Sequence, residues 1–193
     1  MPRERLTAFS DGVIAIIITI MVLELKVPHG DGWAALATLA PVFLSYIMSF
    51  IYVAIYWNNH HHLLFTCKKV NGPILWANMN LLFWLSLIPF ATGWMGENAF
   101  TELPTALYGA TLLMPAIAWY VLQLTIMRIG GDRSLLAQAL GRDFKGKLSP
   151  LLYLVAVGLA FVRPWIACAI YAGVALMWLI PDRRIEDAIA SLD

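Results

Sequence analysis

The sequence predicts an all-α membrane protein with six transmembrane helices per chain. Three observations carry that prediction. Apolar residues make up 61% of the 193 residues and charged ones only 13%, against about 45–50% and about 25% in ordinary soluble domains. A chain this apolar cannot cover itself with polar groups, so lipid must solvate most of its surface. Six mostly apolar stretches follow one another, each near the ~20 residues needed to cross a bilayer. The basic residues fall almost entirely between alternate stretches. A net charge of +1 leaves no basic field for nucleic acid. Cys67 and Cys168 form no CxxC pair, so neither a disulfide framework nor a zinc site is expected.

Taken in order, the spans are expected at about 9–25, 33–57, 73–95, 103–127, 148–162 and 164–180, all within a single domain covering 1–193. The first lacks an A-x-A site and is long enough to span, so it reads as a membrane helix rather than a removable leader. The last two are short and joined by Arg163 and Pro164, which predicts a tight helical hairpin. Pro41, Pro89 and Pro115 fall inside spans, where a proline kinks a helix. Gly158 and Gly173 read as small residues for close helix packing.

Orientation follows the positive charges. The N-terminus, the second and fourth connections and the C-terminus carry Arg3, Arg5, Lys68, Lys69, Arg128, Arg133, Arg142, Lys145, Lys147, Arg183 and Arg184, and the other side carries Lys26 and Arg163. Both termini are therefore expected in the cytoplasm. The residues from Ser134 to Leu140, in the longest connection, read as a short interfacial amphipathic helix. Trp33, Trp57, Trp94, Trp119, Trp165 and Trp178 lie near span ends, as aromatic-belt residues do.

The first span opens on Arg5-Leu-Thr-Ala-Phe9-Ser10-Asp11. Polar and charged groups at the mouth of an apolar helix are costly unless paired. Six residues separate Arg5 from Asp11, about 240° of helical rotation, so their partners must lie on another helix or another subunit. Alternatively, Ser10 or Asp11 caps the helix. Further along, Ile16, Thr19, Ile20 and Leu23 share one stripe at i, i+3, i+4 and i+7. Periodicity alone makes this a packing or lipid face with a back-bonded threonine. Glu24 ends the helix on the outer side.

The Arg5-x-x-x-Phe9-Ser10-Asp11 motif resembles the signature of the transmembrane protein 175 family of potassium channels, in its prokaryotic single-repeat form. Trp57-x-x-His60 at the end of the second span, and Asn78 eleven residues before Pro89 in the third, resemble that family as well. The resemblance implies a homotetramer whose first helices line a central pore. Counting from Asp11, the constriction falls on Ile16, with Thr19, Ile20 and Leu23 as further pore-facing layers. It implies a modestly potassium-selective cation channel in which apolar rings act as a hydrophobic filter, in a prokaryotic plasma membrane. Potassium is then the permeant ion, with no cofactor and no enzymatic activity. Arg5, Phe9, Ser10 and Asp11 would tether the pore helix, with Trp57, His60 and Asn78 as partners.

The competing class is a secondary or proton-coupled transporter. The sequence has no evident inverted repeat with interrupted helices, and Asp11 and Glu24 sit at span ends. His60-His61-His62 invites a metal reading, but adjacent histidines on a helix point about 100° apart and do not converge on one ion. A membrane enzyme would need a nucleophile, a base and a metal set that the sequence does not supply.

Overall fold

The computed structural model describes residues 2–67, 70–130 and 144–179. The helices among them are α1 (Arg3–Leu23), α2 (Trp33–Ala37), α3 (Ala40–Phe65), α4 (Gly72–Leu85), α5 (Ile88–Glu97), α6 (Glu102–Gly130), α7 (Phe144–Ala160) and α8 (Pro164–Leu179). Inside a bilayer a backbone must satisfy its own hydrogen bonds, so even the β-branched run after Asp11 is helical. The expected helix from Ser134 to Leu140, and Lys68, Lys69, Arg133, Arg142, Arg183 and Arg184, lie outside the described residues.

Among the described residues four helical stretches are long and apolar enough to cross a membrane: Arg3–Leu23, Ala40–Phe65, Gly72–Glu97 and Glu102–Gly130. The second differs from its expected position at 33–57. Pro41 starts α3 rather than kinking it, because a proline in the first turn gives up a donor that would be unpaired anyway. Pro41 also cannot donate to the carbonyl four residues back, and α2 ends there, at Ala37. Pro89 does the same to the third stretch: α4 stops at Leu85, and α5 begins at Ile88 with the proline in its first turn. Pro115 does lie inside α6. The helices α7 and α8, of 17 and 16 residues, form the expected hairpin across a turn, with Pro164 opening α8.

Two hydrophobic clusters, which α3 and α6 share, hold the bundle together. One joins α1, α3, α4, α6 and the start of α5 through residues such as Ile14, Val53, Leu81, Leu122 and Ile88. The other joins α3, α5, α6, α7 and α8 and is aromatic, with Tyr52, Tyr108, Tyr153 and Tyr171 at its centre. A buried hydroxyl set reinforces the second. Ser49 Oγ lies 2.6 Å from Thr92 Oγ1 and 2.9 Å from Tyr108 Oη. Tyr52 donates to the Tyr171 carbonyl at 2.6 Å, and Tyr171 donates to the Thr105 carbonyl at 3.2 Å.

Close packing depends on glycines other than the two expected. Space is open around a Cβ at Gly158 or Gly173. At Gly109 a Cβ would meet Tyr171 Oη at 2.0 Å, and at Gly96 it would meet Val42 Cα at 2.7 Å. Small residues bring helices together only where a neighbour lies opposite, and these two face Tyr171 and α3. Trp119 also departs from expectation. It is 7% exposed and packs edge-on against Tyr56 at 6.1 Å, inside the bundle rather than at a membrane boundary.

A tethered helix with an open apolar face

The site is built on α1, whose 21 residues extend about 32 Å. Its inner face is Leu6, Ser10, Ile14, Ile17 and Met21, spaced by three and four residues, all buried. It packs against α3, α4 and α5. On the opposite side, Phe9, Ile16, Ile20 and Leu23 are 50%, 59%, 42% and 74% exposed. Thr19 shares that face and donates to the Ala15 carbonyl at 2.9 Å, which leaves its oxygen lone pairs free to accept. The stripe expected from the sequence is thus a single uncovered surface on the protomer. An open groove beside it is lined by Ile16, Ile20, Glu24, Ser86, Pro89 and Phe90.

A polar network ties the inner face to two other helices. His60 on α3 is 1% exposed, and its Nε2 lies 2.6 Å from Asn78 Oδ1 on α4. Asn78 Nδ2 donates to Ser10 Oγ at 3.0 Å, and Ser10 donates on to the Leu6 carbonyl at 2.9 Å. Since an amide oxygen only accepts, His60 Nε2 carries the donated proton and the bonds run in one direction, from α3 through α4 to α1. Beside this chain, Trp57 Nε1 donates to Asp11 Oδ1 at 3.1 Å. Hydrogen bonds in such a chain strengthen one another in a low-dielectric interior.

Neither Ser10 nor Asp11 caps α1. The helix begins at Arg3, so both sit inside it, and Pro2 is the N-cap. Arg5 lies apart from the other expected tethering residues. It is exposed on the same side of α1 as Ile16 and has no partner among the described residues. Phe9 is likewise turned outward, at 50% exposure. Of the seven motif residues, the protomer joins five: Ser10, Asp11, Trp57, His60 and Asn78.

The C-terminal end of α1 has anchors that the sequence does not reveal. Lys26 pairs with Glu97 at the end of α5, and the Glu24 carboxylate packs against Gly93. The Glu97 carboxylate, through its hydrogen bond and its charge, raises the Lys26 pKa above the ordinary 10.5. Sequence spacing holds no signal for a contact across 71 residues. At the N-terminal end of α1 Arg3 donates to the Phe65 carbonyl at 3.0 Å and lies over the Phe65 ring. The three histidines diverge as expected: His60 is buried and His61 exposed. Among the described residues no cluster of His, Cys, Asp and Glu is arranged to hold a metal ion.

Comparison with known proteins places this geometry. Residues 5–89, which contain the whole network, match the family model described as the endosomal/lysosomal potassium channel TMEM175. A protein from Chryseobacterium sp. named as a potassium channel is 56% identical over 98% of both chains. A second, from Streptomyces collinus, is 30% identical over 90% of both. The human protein named as an endosomal/lysosomal proton channel, TMEM175, is 32% identical over 116 residues, 54% of this chain and 23% of that one. The fold is similar to the crystal structure of a lysosomal potassium-selective channel TMEM175 homolog from Chamaesiphon minutus. The TM-score is 0.81, with 28% identity over 93% of this chain and 97% of that one. Family and relatives are ion channels, not enzymes, and the apolar helices make this an integral membrane protein. The chain belongs to the TMEM175 family of potassium channels.

Proposed function

We propose that four copies of this chain assemble around a common axis, each contributing α1 to a potassium-permeable pore. Each chain crosses the membrane six times, with both termini in the cytoplasm of a prokaryotic cell. The observation that carries this reading is the pairing of a 59%-exposed Ile16 with a helix whose rotation is set by the Ser10–Asn78–His60 bonds. A lipid-facing helix needs no such fixing; a helix that presents one residue to an ion path does. The groove beside the stripe gives a neighbouring α1 somewhere to seat.

The mechanism follows from what these side chains lack. Helical carbonyls are consumed by their own hydrogen bonds and cannot replace an ion's water. Four isoleucines supply no ligands and act by size and dewetting. A passing cation must deform its hydration shell, and potassium holds water less tightly than sodium, so its barrier is lower. The Thr19 oxygens, with lone pairs free, support the shell one turn beyond. Selectivity is therefore modest, since no preformed cage exists. Ile20 and Leu23 continue the apolar wall. Arg5, which has no partner among the described residues, meets a neighbouring subunit.

Cysteine accessibility in liposome-reconstituted protein tests the assignment. In a background with Cys67 and Cys168 replaced by serine, Ile16→Cys is expected to be blocked by silver ion and Ile14→Cys spared. Equal insensitivity of the two, or a monomeric mass in native detergent, overturns the pore.

A further inference from the structure

The two hydrophobic clusters do not close completely on each other. A cavity of about 40 Å³ lies where they meet, between α3, α6, α7 and α8. Its wall draws Tyr56 and Trp119 from one cluster and Tyr52, Tyr153 and Trp178 from the other. One water needs about 10–15 Å³ and two to four polar partners. The cavity therefore has room for about two waters, and its wall has the partners.

The Trp119 indole is 7% exposed, and its Nε1 has no hydrogen-bond partner among the described residues. A buried donor without an acceptor is costly, and native structures pair nearly all such groups with protein or ordered water. Asn59 Nδ2 donates to the Ile55 carbonyl at 2.8 Å, which leaves its Oδ1 to accept. Ser149 Oγ donates to the Lys145 carbonyl and receives Trp178 Nε1, both at 2.8 Å, and keeps one lone pair. With the Tyr56 hydroxyl, these groups set a donor on α6 and acceptors on α3 and α7 around one cavity. A hydrocarbon tail offers the indole no acceptor. Water offers one and can donate onward.

We propose that this cavity is a water-binding site. One water accepts from Trp119 Nε1 and donates to an oxygen of Asn59, Tyr56 or Ser149. It joins the two clusters by hydrogen bonds where their side chains do not meet. The site lies within a single chain, so the inference is independent of the pore and of the number of subunits.

Full-length protein in lipid nanodiscs, imaged by electron microscopy at a resolution that shows ordered water, tests this without a mutation. A compact peak is expected within ~3.2 Å of Trp119 Nε1 and within the same reach of an oxygen on α3 or α7. Density continuous with a lipid or with the protein chain, or no density, overturns the proposal. Filling the cavity is the second readout, through Ala116 on its wall. In a dry cavity Ala116→Val adds contacts and raises the melting temperature. In a hydrated one it displaces the water and strands the indole. Ala116→Val is therefore expected to lower the melting temperature, and to lower it less in a Trp119→Phe background, which has no donor to strand. A raised melting temperature, or a loss as large in the phenylalanine background, overturns the proposal. If Trp119→Phe does not fold, the microscopy of the wild type decides alone.

Discussion

Asn78 and Ser10 are hydrogen-bonded across α4 and α1 at 3.0 Å, with both residues fully buried. The amide is spent on both sides, since its oxygen receives His60 while its nitrogen reaches Ser10. Replacing Asn78 by alanine leaves two buried polar groups with one partner fewer. The expected cost is about 1–3 kcal/mol, and Ser10→Ala costs less, because only one bond to another helix is lost. Thermal melts of the two single variants and the double variant check this. The losses are expected to be non-additive, since the residues share one chain of bonds.

At the exposed face, Ile16→Asn is expected to raise potassium current and lower the potassium-to-sodium permeability ratio. Ile14→Ala, two residues away on the opposite face and 1% exposed, is expected to cost about 2–5 kcal/mol of stability with the ratio unchanged. Reversal potentials under bi-ionic conditions, with melts of the same samples, separate the two effects. An unaltered ratio in the asparagine variant removes Ile16 from the ion path.

Gly109 admits no side chain, because Tyr171 Oη occupies the position of its Cβ and is held there by the Thr105 carbonyl. Gly109→Ala is expected to destabilise by about 1–3 kcal/mol. Gly158→Ala, with open space at the same atom, gains helix propensity of up to ~1 kcal/mol. Opposite signs in paired melting experiments are the outcome to look for.

The turn between α5 and α6 places Ala99 and Phe100 at φ 47° and 60°. Left-handed backbone costs an L-residue about 1–2 kcal/mol. Exposed Ala99→Gly is therefore expected to raise the melting temperature. Phe100→Gly lowers it instead, because that ring is 6% exposed and packs 5.2 Å from Trp165.

The pair of Lys26 with Glu97 has a defined pH signature. The Lys26 pKa is raised above 10.5 by Glu97, so the pair's stabilisation is fully present below that value and is lost as pH rises through the folded one. The melting difference between wild type and Lys26→Met is expected to be constant near neutrality and to vanish in strong alkali. Both groups are exposed, so salt at ~1 M, with a Debye length of ~3 Å, is expected to shrink the same difference.

Much of the α1 site was legible because its chemistry is local. Ser10 and Asp11 are costly in lipid unless paired, and that cost is visible in a sequence without knowing the fold, whereas Trp57, His60 and Asn78 were expected as partners only through the family resemblance. The stripe from Ile16 to Leu23 was legible as a face, since helical periodicity is local too. Residues whose meaning depends on what lies opposite were not. Gly158 and Gly109 look alike in sequence, and only Tyr171 distinguishes them. Trp119 resembled a boundary residue until Tyr56 was seen against it. Pro41 and Pro89 were expected to kink spans and instead begin helices, because whether a proline bends a helix or begins one depends on where the chain resumes its hydrogen bonding.

The bonding of α1 at both extremities constrains how this helix can move. Below, the rod is bolted to α3 and α4; above, Lys26 straps it to α5. It cannot swivel on its own bearings. Any displacement of it must carry these neighbours as one block, as a blade moves with its mount, or else first unfasten Asn78 from Ser10.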